Sequence, residues 1–150
     1  MIIDKYNEDL FYAGVDALVN PVNCVGVMGK GLALQFKKMY PGNFEEYKKA
    51  CSLNKVVPGE LFVWISDDLF DDVIIINFPT KRHWRDNSVL RDIEDGLTSL
   101  VKIIKSMRIN SIAIPPLGCG LGGLDWNIVR NKIIEYLDVI PDLDIHIYNP

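Results

Sequence analysis

Ser111-Ile112-Ala113-Ile114-Pro115-Pro116-Leu117-Gly118-Cys119-Gly120-Leu121-Gly122-Gly123-Leu124-Asp125-Trp126 is the stretch from which the fold can be read. Its first four residues are a short apolar run, the pattern of a buried strand. Near its end stands Asp125, a good helix N-cap, with Ile128, Val129, Ile133, Tyr136 and Leu137 following on one helical face. Between strand and helix lie Gly118, Gly120, Gly122 and Gly123. A structural turn needs one or two glycines. A loop this rich in them lets the backbone come close to a ligand, and its N–H groups beside a helix N-terminus attract phosphate. The stretch predicts strand, diphosphate-binding loop and helix.

Outward from this unit, the same alternation recurs. Towards the C-terminus a final strand, Ile145 to Tyr148, follows the helix. Towards the N-terminus, Asn87 or Ser88 is placed to cap the longest helix, with Leu90, Ile93, Leu97, Leu100, Val101 and Ile104 at its spacing. Before it, Val73 to Phe78 is a continuous apolar run of the kind buried on both faces of a sheet, stopped by Pro79. Leu61 to Ile65 reads as another strand, with turns at Pro58-Gly59 and Asp67-Asp68. Pro41-Gly42 ends a helix whose Leu32, Phe36 and Met39 point inward and Lys37 and Lys38 outward. Asn43 then caps a second helix, Glu46 completing a capping box, with Phe44, Tyr47 and Cys51 facing the core. Ala17 to Asn20 is a buried strand, and Met1 to Leu10 holds an edge strand. Strands alternating with helices predict a single domain over 1–150, a three-layer α/β/α sandwich with a mixed, mostly parallel sheet. Ligands of such sheets bind in the loops beyond the strand C-terminal ends.

Composition narrows the class. The 150 residues are 49% hydrophobic and 24% charged, with a formal net charge of −4, so a broadly basic nucleic-acid-binding surface is excluded and any such contact must be local. The three cysteines, Cys24, Cys51 and Cys119, form no C-x-x-C pair and no His lies at metal spacing, which suits a reducing compartment and predicts no metal site. No signal-peptide pattern and no apolar run of membrane length is present, so a cytoplasmic location without membrane association is expected.

Three loops after strands carry the chemistry. The third contains G-x-G-x-x-G at Gly118, Gly120 and Gly123, but near the C-terminus with one strand to follow, which argues against a dinucleotide-binding fingerprint. The first, Pro21 to Gly31, holds Asn20 and Asn23 at its start and Gly29, Lys30 and Gly31 at its end. It is not a Walker A loop, because neither Ser nor Thr follows Lys30. The asparagines either organise turns or hydrogen-bond a ribose. The second, Thr80-Lys81-Arg82-His83-Trp84-Arg85, leaves the most apolar strand. Its cations and Trp84 suit stacking on a base and holding phosphate, against the plain alternative of a solvated basic loop.

Asp16-Ala17-Leu18-Val19-Asn20-Pro21-Val22-Asn23 and Pro115 to Gly123 together resemble the two signatures of the macrodomains, α/β sandwich modules that bind ADP-ribose. The resemblance covers nearly the whole chain. Within that family, Val25 to Lys37 followed by Asn77 to Arg85 resembles the DarG-type antitoxin branch, related to the terminal ADP-ribose protein glycohydrolase class. The resemblance implies an ADP-ribosyl hydrolase that removes ADP-ribose attached to thymidine in single-stranded DNA by a DarT-like toxin, with ADP-ribose as ligand and product and no cofactor. It places the catalytic lysine at Lys81. It places ligand contacts at Asp9 for the adenine amino group, at Asn20, Asn23, Gly29, Lys30 and Gly31, and at Gly118, Cys119, Gly120, Leu121, Gly122 and Gly123, with Tyr148 for the adenine stack. Arg82, His83, Trp84 and Arg85 are assigned to the DNA. The related glycohydrolases also use an aspartate just after Gly-Cys-Gly; here Leu121-Gly122-Gly123 follows, and Asp125 reads as a helix cap. Full antitoxins of this branch carry a further C-terminal region, so a chain ending at Pro150 reads either as a macrodomain portion or as a free-standing macrodomain. The alternatives are a hydrolase of protein-linked ADP-ribose or of ADP-ribose 1″-phosphate, and a non-catalytic ADP-ribose-binding module.

Overall fold

Strand pairing orders the molecule. In a computed structural model, which describes residues 1–68 and 71–150, one six-stranded sheet runs β1 (Ile2–Lys5), β6 (Asp144–Tyr148), β5 (Ser111–Ile114), β2 (Ala17–Val22), β4 (Ile74–Pro79), β3 (Phe62–Ile65). All neighbours are parallel except β3 against β4. The mixed, mostly parallel sheet is as expected from the sequence. The N-terminal segment supplies an edge, as read. The first buried strand runs two residues further than read, through Pro21 to Val22.

The two faces follow the period of two along each strand. Val19, Ile76, Phe78, Ile112, Ile114, Ile145 and Ile147 pack against α3 (Leu90–Met107) and α4 (Trp126–Leu137). Leu18, Ile75, Ala113 and Tyr148 face the other way, onto Phe36 of α1 (Gly31–Met39) and Leu10. Tyr47, Ala50 and Cys51 of α2 (Pro41–Ser52) form a third cluster with Val22 and Met28. Three layers result.

Four local expectations are corrected. Asn43 does not cap α2, and Glu46 does not complete a box. The helix begins at Pro41, whose fixed φ suits the first turn, and Asn43 lies inside it, fully buried. There Asn43 Nδ2 donates to Asn77 Oδ1 at 3.1 Å and its Oδ1 accepts from Asn77 Nδ2 at 2.8 Å. A reciprocal amide pair in the core outweighs a surface cap. Neither Asn87 nor Ser88 caps α3, whose N-cap is Val89 without a side-chain bond. Met39 and Ile128 are exposed: Met39 is the last residue of α1, and Ile128 lies off the buried Val129, Ile133 and Leu137 face of α4. Asp125 does cap α4, accepting from Ile128 N at 3.3 Å.

One ion pair ties the edge strand to α4. Arg130 Nε and Nη2 donate to Asp4 at 3.2 and 2.7 Å, and Asn149 Nδ2 adds a bond at 3.1 Å. The Arg130 bond, then that of Asn149, holds the Asp4 carboxyl below its ordinary pKa. A group depressed on folding stabilises above its unfolded pKa and stops doing so as pH falls through the folded value. Asp4→Asn is therefore expected to cost ~1 kcal/mol at neutral pH. The difference from wild type should vanish in acid, as urea unfolding followed from pH 7 to pH 2 would report.

Candidate functional site

At the C-terminal ends of β2, β4 and β5 a cleft of about 780 Å³ opens, lined by all three loops singled out in the sequence. Lys30, Lys81 and Arg85 line it, and no Asp or Glu side chain does among the described residues. An acidic protein thus presents a locally cationic cavity, the field an anionic ligand needs. Asn23, Gly29, Lys30, Gly31, Lys81, Trp84, Arg85, Gly118, Cys119, Gly120, Leu121 and Gly122 all reach the lining.

The phosphate loop is folded largely on itself. Cys119 N bonds Pro116 O, Gly122 N bonds Cys119 O, Gly123 N bonds Cys119 O, and Leu124 N bonds Gly118 O. Of the expected cradle of backbone donors, those of Gly118, Gly120 and Leu121 have no acceptor among the described residues. Gly118 sits at φ 70°, and a side chain there would meet Leu124 Cδ1 at 2.8 Å and Ser88 Cβ at 3.1 Å. Gly123 closes the loop in the left-handed region and does not reach the lining.

The helix N-terminus that serves the cleft is not the one expected. At α4 the Asp125 carboxylate fills the end, so that helix offers no anion site. Across the cleft, α1 has no side-chain cap and no acidic residue in its first turn, and its first residues Gly31, Leu32 and Ala33 line the cavity. Their N–H groups belong to the donors a helix cannot satisfy internally. The sequence signal was a helix entered through Gly29-Lys30-Gly31 with neither Ser, Thr, Asp nor Asn at the cap.

Lys81 connects the loops. Its Nζ donates to Leu121 O at 3.3 Å and Trp84 O at 3.5 Å, bridging the basic loop and the phosphate loop at the cleft wall. Cys24 braces it from behind: Cys24 Sγ donates to Lys81 O at 3.4 Å and Cys24 N to Arg82 O at 3.2 Å. Burial pushes the Cys24 thiol up to about 11, and burial likewise raises that of Cys119, so both are held as packing thiols.

Several assigned contacts lie elsewhere. Asn20 is a core residue: it is fully buried, its Nδ2 donates to Asn77 Oδ1 at 3.1 Å, and Met28 covers it, so it reaches no ribose. Asn23 lines the cleft, but its Oδ1 accepts from Val25 N, Val27 N and Tyr47 Oη while its Nδ2 donates to Val27 O. It shapes the first loop and keeps one amide hydrogen for a ligand. Asp9 is exposed and caps the short turn Leu10–Tyr12 by accepting from Phe11 N, away from the lining. Tyr148 is 7% exposed and packs with Leu18 and Phe36, so its ring offers no stacking face; Pro150 is the C-terminal residue that lines the cavity. Arg82 turns to the buried Asp92 at 3.3 Å and anchors the basic loop on α3. His83 is outside the lining and accepts from Arg85 N through Nδ1. Trp84 carries Arg85 Cζ over its ring at 4.6 Å and His83 at 5.0 Å, so imidazole, indole and guanidinium form one preassembled cluster at the rim. Sequence reasoning gave no ligand role to Thr80, Pro115 and Pro116, named only as the starts of their loops, or to Ser88, read as a helix cap, and all four line the cleft.

The mixed sheet thus presents a glycine-rich loop, an uncapped helix N-terminus and a lysine bridging two loops at one cleft. The Macro domain family profile matches residues 19–133, and the chain belongs to that family. Within it, the chain is 50% identical over 142 residues to the DNA ADP-ribosyl glycohydrolase of Mycobacterium tuberculosis, covering 95% of this chain and 40% of that protein. The chain thus spans about two fifths of the curated relatives it matches. The solved macrodomain of Mycobacterium tuberculosis DarG superposes with a TM-score of 0.96 at 49% identity, covering 100% of this chain and 98% of that one. Thermosipho africanus DarTG, solved in complex with ADP-ribose, matches with a TM-score of 0.91 at 34% identity over 99% of this chain and 42% of that one.

Proposed function

We propose that this domain hydrolyses the bond between ADP-ribose and thymidine in single-stranded DNA, reversing the modification made by a DarT-type toxin. The observation that carries the reading is Lys81, a cleft-wall lysine held between two loops at a cavity of nucleotide size. A module that only binds ADP-ribose has no need of an amine there. The names of the relatives, a DNA ADP-ribosyl glycohydrolase and a DarTG bound to ADP-ribose, support the same substrate.

The diphosphate lies between the Gly118, Gly120 and Leu121 N–H groups and the open end of α1. This seats the distal ribose against the first loop, with its anomeric carbon towards Lys81. Cleavage passes through a transition state with oxocarbenium character, so the two carbonyls beside Lys81 and the ligand's own phosphate stabilise developing positive charge. Lys81 acts in one of two ways. As a neutral amine it attacks the anomeric carbon, forming a C–N bond as the bond to thymine breaks, and water later displaces the lysine. As an ammonium it donates a proton to the departing base while water attacks. The Trp84 cluster holds the flanking strand.

The test is a single-stranded oligonucleotide carrying ADP-ribosylated thymidine. Release of unmodified DNA supports the reading. ADP-ribose binding with no release on DNA would move the substrate to protein or to a small molecule. No group of three or more His, Cys, Asp or Glu able to hold a metal occurs among the described residues. The rate is accordingly expected to be the same, within about twofold, in excess chelator, since every step is assigned to protein groups and water; a rate restored only by added divalent ion would contradict this.

A further inference from the structure

Ser88 stands between β4 and α3, directly behind the phosphate loop. It lines the cleft yet is 7% exposed. Its N–H donates to Gly122 O at 2.9 Å, which pins the loop to the start of α3. Its Oγ is buried and has no hydrogen-bond partner among the described residues. A buried hydroxyl without a partner is disfavoured, and a native fold that keeps one calls for a state in which it is paired.

The geometry identifies that state. A methyl group at Gly122 would overlap Ser88 Oγ, stand 3.0 Å from Ser88 Cβ and approach Lys81 Cε at 3.8 Å. Because Gly122 has no side chain, the Ser88 hydroxyl packs directly against the phosphate loop, beside the lysine. The open donors of the same loop, Gly120 and Leu121 N–H, serve an oxyanion, and an ionised phosphate oxygen is the strongest acceptor a hydroxyl can find. Among the described residues, the other two unpaired buried side-chain atoms, Asn20 Oδ1 and His146 Nδ1, belong to residues outside the lining. We propose that Ser88 is a ligand-binding residue whose hydroxyl donates to an oxygen of the phosphate nearest the distal ribose, and so fixes the bound position of the Gly118–Gly123 loop. This rests on the reading of the cleft as an ADP-ribose site.

The experiment compares wild type with Ser88→Ala by calorimetric titration with ADP-ribose, ADP and AMP, and measures the melting temperature of both unliganded proteins. ADP and ADP-ribose carry the second phosphate; AMP does not. Ser88→Ala is expected to weaken ADP-ribose and ADP about tenfold, to leave AMP unchanged, and not to lower the unliganded melting temperature, since the deleted hydroxyl has no partner there. Equal affinity of both proteins for ADP-ribose would overturn the proposal while leaving the site reading intact. A loss for all three ligands with a lower melting temperature would also overturn it, marking Ser88 as scaffold. Failure of the wild type to bind ADP-ribose would overturn the site reading, and this inference with it.

Discussion

Lys81→Ala is expected to lower the rate of ADP-ribose release from modified single-stranded DNA by about a thousandfold, while ADP-ribose binding stays within about threefold of wild type. The two halves have separate causes. The Lys81 ammonium makes its bonds to Leu121 O and Trp84 O at the partly exposed cleft wall, where water replaces it at little cost. The diphosphate donors come from the backbone of Gly118, Gly120 and Leu121 and from the end of α1, none of which the substitution removes. What is lost is the only amine that bridges the phosphate loop and the basic loop among the described residues. Single-turnover cleavage and a calorimetric titration on the same preparations read both halves. Lys81→Arg then asks whether the lysine needs more than its charge. Arginine keeps a cation and its donors but neither attacks as a neutral amine nor gives up a proton. Partial activity would limit Lys81 to electrostatic positioning, whereas a loss as deep as that of alanine would require the amine to attack or to transfer its proton. Equal turnover by wild type and Lys81→Ala would remove the lysine from the mechanism.

The chemistry of the site was legible where a single loop carries it, and illegible where it depends on pairing between strands. The phosphate loop, its Asp125 cap and the lysine loop stand in the sequence as contiguous patterns. Asn20 shows the opposite case. A polar residue ending an apolar strand looks like a ligand contact, but β2 pairs with β4 in the register Asn20 to Asn77, and the two amides meet in the core with Asn43. No local rule encodes that register. The same reason explains Asn43: a favourable cap by composition, it is drawn inside its helix by a partner 34 residues away. Helical spacing located the inward faces of α1 and α4 but not where each face runs out, so Met39 and Ile128 were placed inside. Arg82 illustrates a third limit. Its charge suggested DNA but gave no sign that the guanidinium, mostly exposed, is tied to the buried carboxylate of Asp92 on α3.

That packing is the basis of the largest stability effect expected. Gly96 lies in the middle of α3, where glycine is intrinsically unfavourable relative to alanine by about 1 kcal/mol. On propensity alone, Gly96→Ala should stabilise. The structure reverses the sign. A methyl group at 96 would overlap the Phe78 ring, 2.5 Å from Cε1 and 3.0 Å from Cε2, and Phe78 is fully buried in β4 with Ile93, Leu97 and Leu100 around it. The ring has no vacant space to enter, so α3 must move off the sheet. Overpacking of this kind costs about 3 kcal/mol, or a fall in melting temperature of roughly 6–12 °C for a chain of this size. The consequence reaches the site, because the start of α3 carries Asp92, which holds Arg82, and is preceded by Ser88, which holds Gly122. A displaced α3 should therefore weaken ADP-ribose binding as well as stability, though Gly96 touches no ligand loop. Phe78→Leu, which shortens the opposing side chain, should restore much of both in the double variant, and each single change alone should be destabilising. The double-mutant cycle measures that coupling directly. Gly96→Ala with an unchanged or higher melting temperature would mean that the helix and the strand are not in the contact described, and that propensity governs this position after all.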